Sequence, residues 1–159
     1  MRTLILMLAL SGALAGVLLV IGMSLPATRE GRADIVIQAS PEEILAVVRD
    51  FQAQPEWRNV KVVRLGDDQW LEVTPQGERI TFTLVTMTDA EVELRFSSTA
   101  GYSGTWRAEL APTPGGARVS VIERATVPSP LGRIVSRVMF DPDAFAAEYL
   151  VSLKKRAEA

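Results

Sequence analysis

The chain has 159 residues, enough for one ordinary domain and a short additional segment. Its 17 basic and 19 acidic residues give a formal net charge of −2, and the basic residues do not cluster before residues 154–156, which argues against nucleic acid as a partner. The sequence has no cysteine and no histidine, which excludes disulfides, thiol catalysis, histidine-dependent triads and histidine-built zinc sites.

Residues 4–25 carry no charge and consist mainly of aliphatic residues, alanine and glycine. About 20 such residues in a helix are enough to cross the hydrocarbon core of a bilayer. A cleaved secretory signal is the alternative, but its apolar region usually has only about 7–15 residues, and Pro26 disturbs the best cleavage site, at Ala27. We predict a single-pass transmembrane anchor over residues 1–26, which contacts the membrane through residues 4–25, and a polar linker over residues 27–32.

The flanking charges hardly decide the orientation of this anchor, because Arg2 stands on one side and Arg29 and Arg32 on the other. A very short tail ahead of a large domain favours an internal tail. We therefore expect a membrane protein whose domain, residues 33–159, lies on the extracytoplasmic side.

A helix start is encoded just after a short strand at residues 33–38. Ser40 can cap the helix, Pro41 suits its first position, and Glu43 can complete a capping box. The apolar residues that follow have helical spacing: Ile44, Leu45, Val47 and Val48. The sequence of residues 50–57 then predicts a second, very short helix that ends at Trp57.

Beyond residue 60 the apolar residues alternate with polar ones, as in half-buried antiparallel strands. The predicted strands, separated by turns, are residues 60–65, 69–73, 79–88, 91–97, 100–111 and 117–127. Two proline-started helices follow, at residues 131–139 and 144–157. The first of these is basic and amphipathic, which fits either a plain packing helix or a lid that rests on lipid headgroups.

The predicted order of elements is a strand, a helix that starts with Ser-Pro-Glu-Glu at residues 40–43, a short helix ending in Trp57, the antiparallel strands and a long terminal helix. This order resembles the SRPBCC superfamily. That superfamily includes START-type lipid-binding domains, polyketide cyclase/dehydratases and pollen-allergen-type ligand carriers. The resemblance covers residues 33–159 and implies an α+β helix-grip fold, in which a curved antiparallel sheet wraps around a long C-terminal helix. It also implies a cavity between the sheet and that helix.

Glu123 is the sharpest candidate for chemistry. Val119 and Val121 set the inward face of the last strand, and a period of two turns Glu123 inward as well. A carboxyl in an apolar cavity would have a raised pKa and could act in acid–base catalysis or orient a polar headgroup. The alternatives are a β-bulge that turns it outward or a pairing with an arginine on a neighbouring strand. Arg107 and Glu109 face outward, as members of a solvated ladder.

The other candidates are aromatic residues that could line the cavity. With Glu123, the predicted ligand-cavity residues are Trp57, Phe82, Tyr102 and Tyr149. Core packing explains the tryptophans about as well, and we predict a core role for Trp106.

Two functions of different class follow. The first is a membrane-tethered binding module that holds a hydrophobic ligand of lipid, quinone or isoprenoid type, without metal or cofactor. The second is a cyclase- or dehydratase-like enzyme, whose acid–base groups are limited to Glu123, Tyr102 and Tyr149. We expect binding rather than catalysis because of that shortage. A third interpretation is an interaction domain whose cavity is filled by its own side chains.

Overall fold

A single antiparallel sheet and the helices at its ends and on one face make up the protein. The computed structural model describes the backbone of residues 2–159 and all side chains except those of residues 1–6, 8 and 9. Within these residues the helices are α1 (Arg2–Ser24), α2 (Pro41–Arg49), a 3₁₀ helix (Phe51–Glu56), α3 (Pro130–Met139) and α4 (Pro142–Ala157). The strands are β1 (Thr28–Ile37), β2 (Lys61–Arg64), β3 (Gln69–Val73), β4 (Arg79–Met87), β5 (Glu91–Ser98), β6 (Ser103–Thr113) and β7 (Gly116–Thr126).

The strand order across the sheet is β1-β7-β6-β5-β4-β3-β2. Strands β1 and β2 follow each other in the sequence but lie at opposite edges, because α2 and the 3₁₀ helix carry the chain across one end of the sheet. Helix α4 packs against β1 and β7 and meets α2. The predicted α+β helix-grip architecture is confirmed.

The start of α2 has the predicted capping box. The Ser40 hydroxyl accepts a hydrogen bond from the Glu43 amide at 3.2 Å, and the Glu43 carboxylate accepts one from the Ser40 amide at 2.8 Å. Asp50 caps the 3₁₀ helix in turn by accepting from the Ala53 amide. Both helix starts are therefore fixed by local side chains.

The alternation of residues divides the sheet into an inner, apolar face and an outer, polar face. The buried inner residues from β5, β6, β7 and α4 include Val92, Leu94, Phe96, Trp106, Ala108, Val119, Val121, Ala146, Leu150 and Leu153. Trp106 therefore belongs to the core, as predicted. On the outer face Arg107 pairs with Glu91 at 2.8 Å and with Glu109 at 3.0 Å, which confirms the solvated ladder.

The N-terminal region differs from its prediction. The side chains of residues 1–6, 8 and 9 of the predicted anchor lie outside the description, and no helix among the described residues is long and apolar enough to cross a membrane. The described residues therefore do not support the predicted transmembrane helix.

The predicted linker is also replaced by regular structure. Residues 28–32 pair with β7, from Thr28 opposite Thr126 to Arg32 opposite Ile122. The polar residues that suggested a linker belong to the outer face, where Glu30 pairs with Arg124.

Candidate functional site

A buried ion pair joins the sheet to the turn after the 3₁₀ helix. Glu72 on β3 is only 3% exposed, and its carboxylate lies 3.2 Å from the Arg58 guanidinium. The Trp70 indole N–H donates to the same carboxylate at 3.1 Å, while Arg58 also donates to the Gln54 side chain. A buried charge is tolerated only when it is paired and hydrogen-bonded, and this network meets that condition.

This ion pair was not predicted from the sequence, although the position of Glu72 has a recognisable pattern. The period of two that turns Trp70 inward also turns Glu72 inward, on the same strand. Arg58 gave no comparable signal, because it follows the 3₁₀ helix in a segment with no regular period.

Arg58 connects the ion pair to α4 through Tyr149. The guanidinium lies over the Tyr149 ring, 5.2 Å from its centroid, and the same ring meets Trp57 and Trp106 edge-on at 5.8 and 5.2 Å. Burial is the main reason that the pKa of the Tyr149 phenol lies above its usual range, and Arg58 opposes the rise. The Tyr149 hydroxyl makes no hydrogen bond with any described residue, so its capacity to donate and accept one is unused.

Glu123 lies on the inner face of β7, opposite Trp106 on β6 and Gly31 on β1. The β7 register is regular, so no bulge turns this side chain outward. The neighbouring Arg124 pairs with Glu30 instead, and Glu123 forms no ion pair with any described residue. Burial raises the pKa of Glu123 to about 7, against the opposing charge of Arg58. The result is a half-buried carboxyl that exchanges its proton near neutral pH.

Tyr102, in the turn between β5 and β6, lies within electrostatic reach of Glu123. Its pKa is raised above the usual range, first by burial, then by Glu78, and to a smaller extent by Glu123. Ser98 donates a hydrogen bond to Glu78, and the Tyr102 ring lies edge-on to Phe96 at 6.2 Å. The polar partners of Tyr102 are therefore Glu78 and Ser98, and the Glu123 charge acts on its pKa only weakly.

Phe82 belongs to a row of aromatic rings across the inner face. Phe51 stacks on Trp70 at 4.4 Å, Trp70 on Phe82 at 5.5 Å, and Phe82 meets Phe96 at 5.8 Å. The structure thus packs Trp57, Phe82, Tyr102 and Tyr149 against the hydrophobic core and places Glu123 on the inner face of β7, and aromatic rings line much of this interior.

Two pockets open elsewhere on the described residues. One, of about 320 Å³, lies on the outer face of the sheet and is lined mainly by hydroxyl side chains and Arg95. The other, of about 230 Å³, lies where α2, the 3₁₀ helix and the end of α4 meet, and Trp57 and Arg156 line it. The Trp57 indole N–H is buried without a hydrogen-bond partner, which lowers the stability of the folded state unless a bound molecule accepts a hydrogen bond from it. Neither pocket lies between the inner face of the sheet and α4.

The sequence profile of the family described as "Polyketide cyclase / dehydrase and lipid transport" matches residues 28–158. The chain belongs to this family. The match begins at the first residue of β1, so it includes residues 28–32 of the predicted linker. No curated protein matches the chain.

Several solved structures share the fold of this chain. A START superfamily protein from Mycobacterium smegmatis is 17% identical, with a TM-score of 0.63 over 81% of this chain and 97% of its own. A protein from Chromobacterium violaceum is 15% identical, with a TM-score of 0.60 over 84% and 99%. Norcoclaurine synthase from Thalictrum, a point mutant solved with a transition-state analogue, is 12% identical, with a TM-score of 0.63 over 82% and 94%.

In this family member the interior combines two chemical properties. The aromatic rings offer apolar contact, and the carboxyl of Glu123 and the hydroxyls of Tyr102 and Tyr149 offer polar contacts at their edge. Among the described residues, no cluster of three or more acidic side chains could hold a metal ion. The arrangement suits an apolar molecule with one polar group, or a proton transfer at that group.

Proposed function

We propose that the protein binds a hydrophobic small molecule of lipid, quinone or isoprenoid type between the inner face of the sheet and α4, with Glu123 as its polar contact. The observation that carries this proposal is the placement of Glu123, a half-buried carboxyl on an apolar face with no partner among the described residues. The family description, which includes lipid transport, supports the same class of ligand.

We infer that binding rearranges the aromatic side chains that line the inner face of the sheet. The pocket beside Trp57 is the natural point of access, since its ring separates that pocket from Tyr149. At about 230 Å³ it falls below the usual range of about 300–1,000 Å³ for ligand pockets. A rotation of Trp57 would join it to the interior and would expose the unpaired indole N–H to an acceptor on the ligand.

Native mass spectrometry and organic extraction of the purified full-length protein test this proposal. We expect one apolar molecule per chain, and a weaker retention of that molecule in Glu123→Gln and Tyr149→Phe. Glu93→Gln is the matched control, because Glu93 lies on β5 with the opposite, outward orientation. The proposal fails if folded protein releases no apolar molecule and also binds no fluorescent fatty acid in titration.

An enzyme of the cyclase or dehydrase type is the second candidate. It is favoured by a specific observation: a carboxyl whose pKa is raised to about 7 lies within electrostatic reach of the Tyr102 phenol. Such a pair could remove a proton next to a carbonyl and return one to a departing hydroxyl. Conversion of a poly-β-ketone analogue, lost in Glu123→Gln and dependent on pH near 7, would favour the enzyme. Binding of the same analogue without conversion would favour the carrier.

We also propose that residues 4–25 attach the protein to a membrane, with the domain on the extracytoplasmic side. The uncharged sequence of this segment and the exposed apolar side chains of α1, such as Leu14, Val17 and Val20, support attachment. Membrane fractionation of cells that produce the full-length chain, followed by protease treatment of intact cells, tests both parts. Recovery of the chain outside the membrane fraction would reject attachment, and protection from external protease would reject the orientation.

A further inference from the structure

Helix α3 exposes an apolar face that the core does not use. Residues Leu131, Val135, Val138 and Met139 recur at helical spacing on one side of the helix, and we name them the α3 apolar face. Val138 and Met139 are 78% and 79% exposed, and no residue of α3 is buried. Exposed apolar residues are ordinary when scattered, but a contiguous helical face of them marks a contact surface.

The polar side of α3 fastens it to the rest of the protein. Arg133 donates hydrogen bonds to the carbonyls of Leu25, just past the end of α1, and of Val127, after β7, at 3.3 and 3.0 Å. Arg29 on β1 donates to the carbonyl of Ser136 at 2.7 Å. These hydrogen bonds attach the polar side of α3 to the domain, so the α3 apolar face is directed away from the domain.

The end of α1 packs directly on the start of α3. At Gly22 a Cβ atom would lie 2.2 Å from the Pro130 carbonyl oxygen, so only glycine allows this approach. The exposed apolar residues of α1, among them Val20 and Met23, therefore lead up to the α3 apolar face. The two surfaces adjoin at the same end of the domain.

The surroundings of this face match the interfacial region of a bilayer. Phe140 and Phe145 form an aromatic pair with ring centroids 5.4 Å apart, and both rings are partly exposed beside the end of α3. Aromatic rings are enriched where hydrocarbon meets headgroups. Arg137 follows Arg133 by one turn on the polar side of α3, is exposed, and forms no ion pair with any described residue, so its long side chain can reach an anionic headgroup.

From these contacts we propose that the α3 apolar face lies in the surface of a lipid bilayer, with Arg137 at the level of the headgroups. Helix α3 then lies parallel to the membrane plane and fixes the orientation of the whole domain relative to it. This contact differs from the attachment by residues 4–25 because it involves a separate helix, and it differs from ligand binding because it uses no interior residue.

Because the sequence has no cysteine, a single introduced cysteine is the only thiol that a label can modify. Full-length Val138→Cys is labelled with an environment-sensitive nitrobenzoxadiazole dye and reconstituted into vesicles of phosphatidylcholine and phosphatidylglycerol. We expect a blue-shifted, brighter emission that lipids brominated near the headgroup end of the acyl chain quench several-fold. Val63→Cys is the matched control, since Val63 on β2 is also apolar and 50% exposed but lies at the far edge of the sheet.

Three results would overturn the proposal. The first is a label at residue 138 that stays as water-exposed as the label at residue 63 in membrane-bound protein. The second is a blue shift that needs no vesicles and grows with protein concentration, which would assign the face to a second copy of the chain. The third is a full-length protein that does not associate with the vesicles. Met139→Cys repeats the measurement at a neighbouring position. Retention of an apolar ligand is measured separately in both variants, so that a failure of ligand binding is not mistaken for a failure of the membrane contact.

Discussion

Replacing Glu123 by glutamine removes a charge that the folded protein disfavours. In the folded state burial raises the pKa of Glu123 to about 7, whereas its ordinary value is 4.5. Between these values the folded state holds the proton more strongly than the unfolded state does. The free energy of unfolding of the wild type therefore falls as the pH rises from about 4.5 to about 7, and it stays lowered above that range.

The size of the effect follows from the same two pKa values. Each pKa unit corresponds to about 1.36 kcal/mol, so the difference between 4.5 and about 7 sets a ceiling of about 3 kcal/mol. The carboxyl keeps some contact with solvent, which reduces the cost. We expect Glu123→Gln to be more stable than the wild type by about 1–3 kcal/mol at about pH 8, and to lose that advantage at about pH 4.

Urea unfolding of the full-length protein over this pH range measures the difference directly, if the slopes of the transitions agree. Glu93→Gln is the control, since Glu93 lies on the outer side of β5 and forms no ion pair among the described residues. The reasoning is refuted if the stability gain of Glu123→Gln does not change with pH, or if it is larger in acid than in alkali. A gain of equal size in Glu93→Gln would also refute it.

The other predictions concern the framework around the site. Arg58→Met leaves the Glu72 carboxylate buried without its partner and should lower the free energy of unfolding by about 3–5 kcal/mol, while the double variant with Glu72→Leu should recover most of the loss in the same urea assay. Ser40→Ala removes the cap of α2 and should cost about 1 kcal/mol, with hydrogen exchange faster in the first turn of α2 than elsewhere. Gly31→Ala would place a Cβ atom 2.4 Å from the Pro142 carbonyl oxygen and should lower stability by about 1–3 kcal/mol in thermal unfolding, whereas Gly66→Ala, with its nearest neighbour at 3.9 Å, should not.

Local patterns were enough to predict most of the elements. The capping residues at Ser40 and Glu43 specify where α2 begins, because their hydrogen bonds involve only neighbours in the chain. The period of two likewise assigned Trp106 and Glu123 to the inner face, since a strand offers only two directions for a side chain. The strand limits mostly agree within a few residues, and the main difference is β1, whose polar first half is stabilised by pairing with β7.

The interior could not be predicted in the same way, because it depends on contacts between distant segments. Phe82 was predicted to line the cavity, but no local pattern shows that the rings at positions 51, 70, 82 and 96 stack into a continuous row. Arg58 and Glu72 form their pair only because the 3₁₀ helix brings one beside the other. The space between the sheet and α4 therefore depends on side-chain contacts that no local pattern specifies.

The polar groups left unpaired in this interior bear on the choice between a filled core and a binding site. The buried Arg58–Glu72 pair has its hydrogen-bonding groups satisfied within the protein: Glu72 is bonded to Arg58 and Trp70, and Arg58 is also bonded to Gln54. Glu123 and the Trp57 indole N–H have no such partners among the described residues, and each lowers the stability of the folded state. A core selected for packing alone would gain from apolar residues at both positions. The ionised Glu123 carboxylate accepts hydrogen bonds and the Trp57 indole N–H donates them. A ligand hydroxyl could therefore satisfy either group, a ligand carbonyl could satisfy Trp57, and the aromatic row would form the apolar wall of the site.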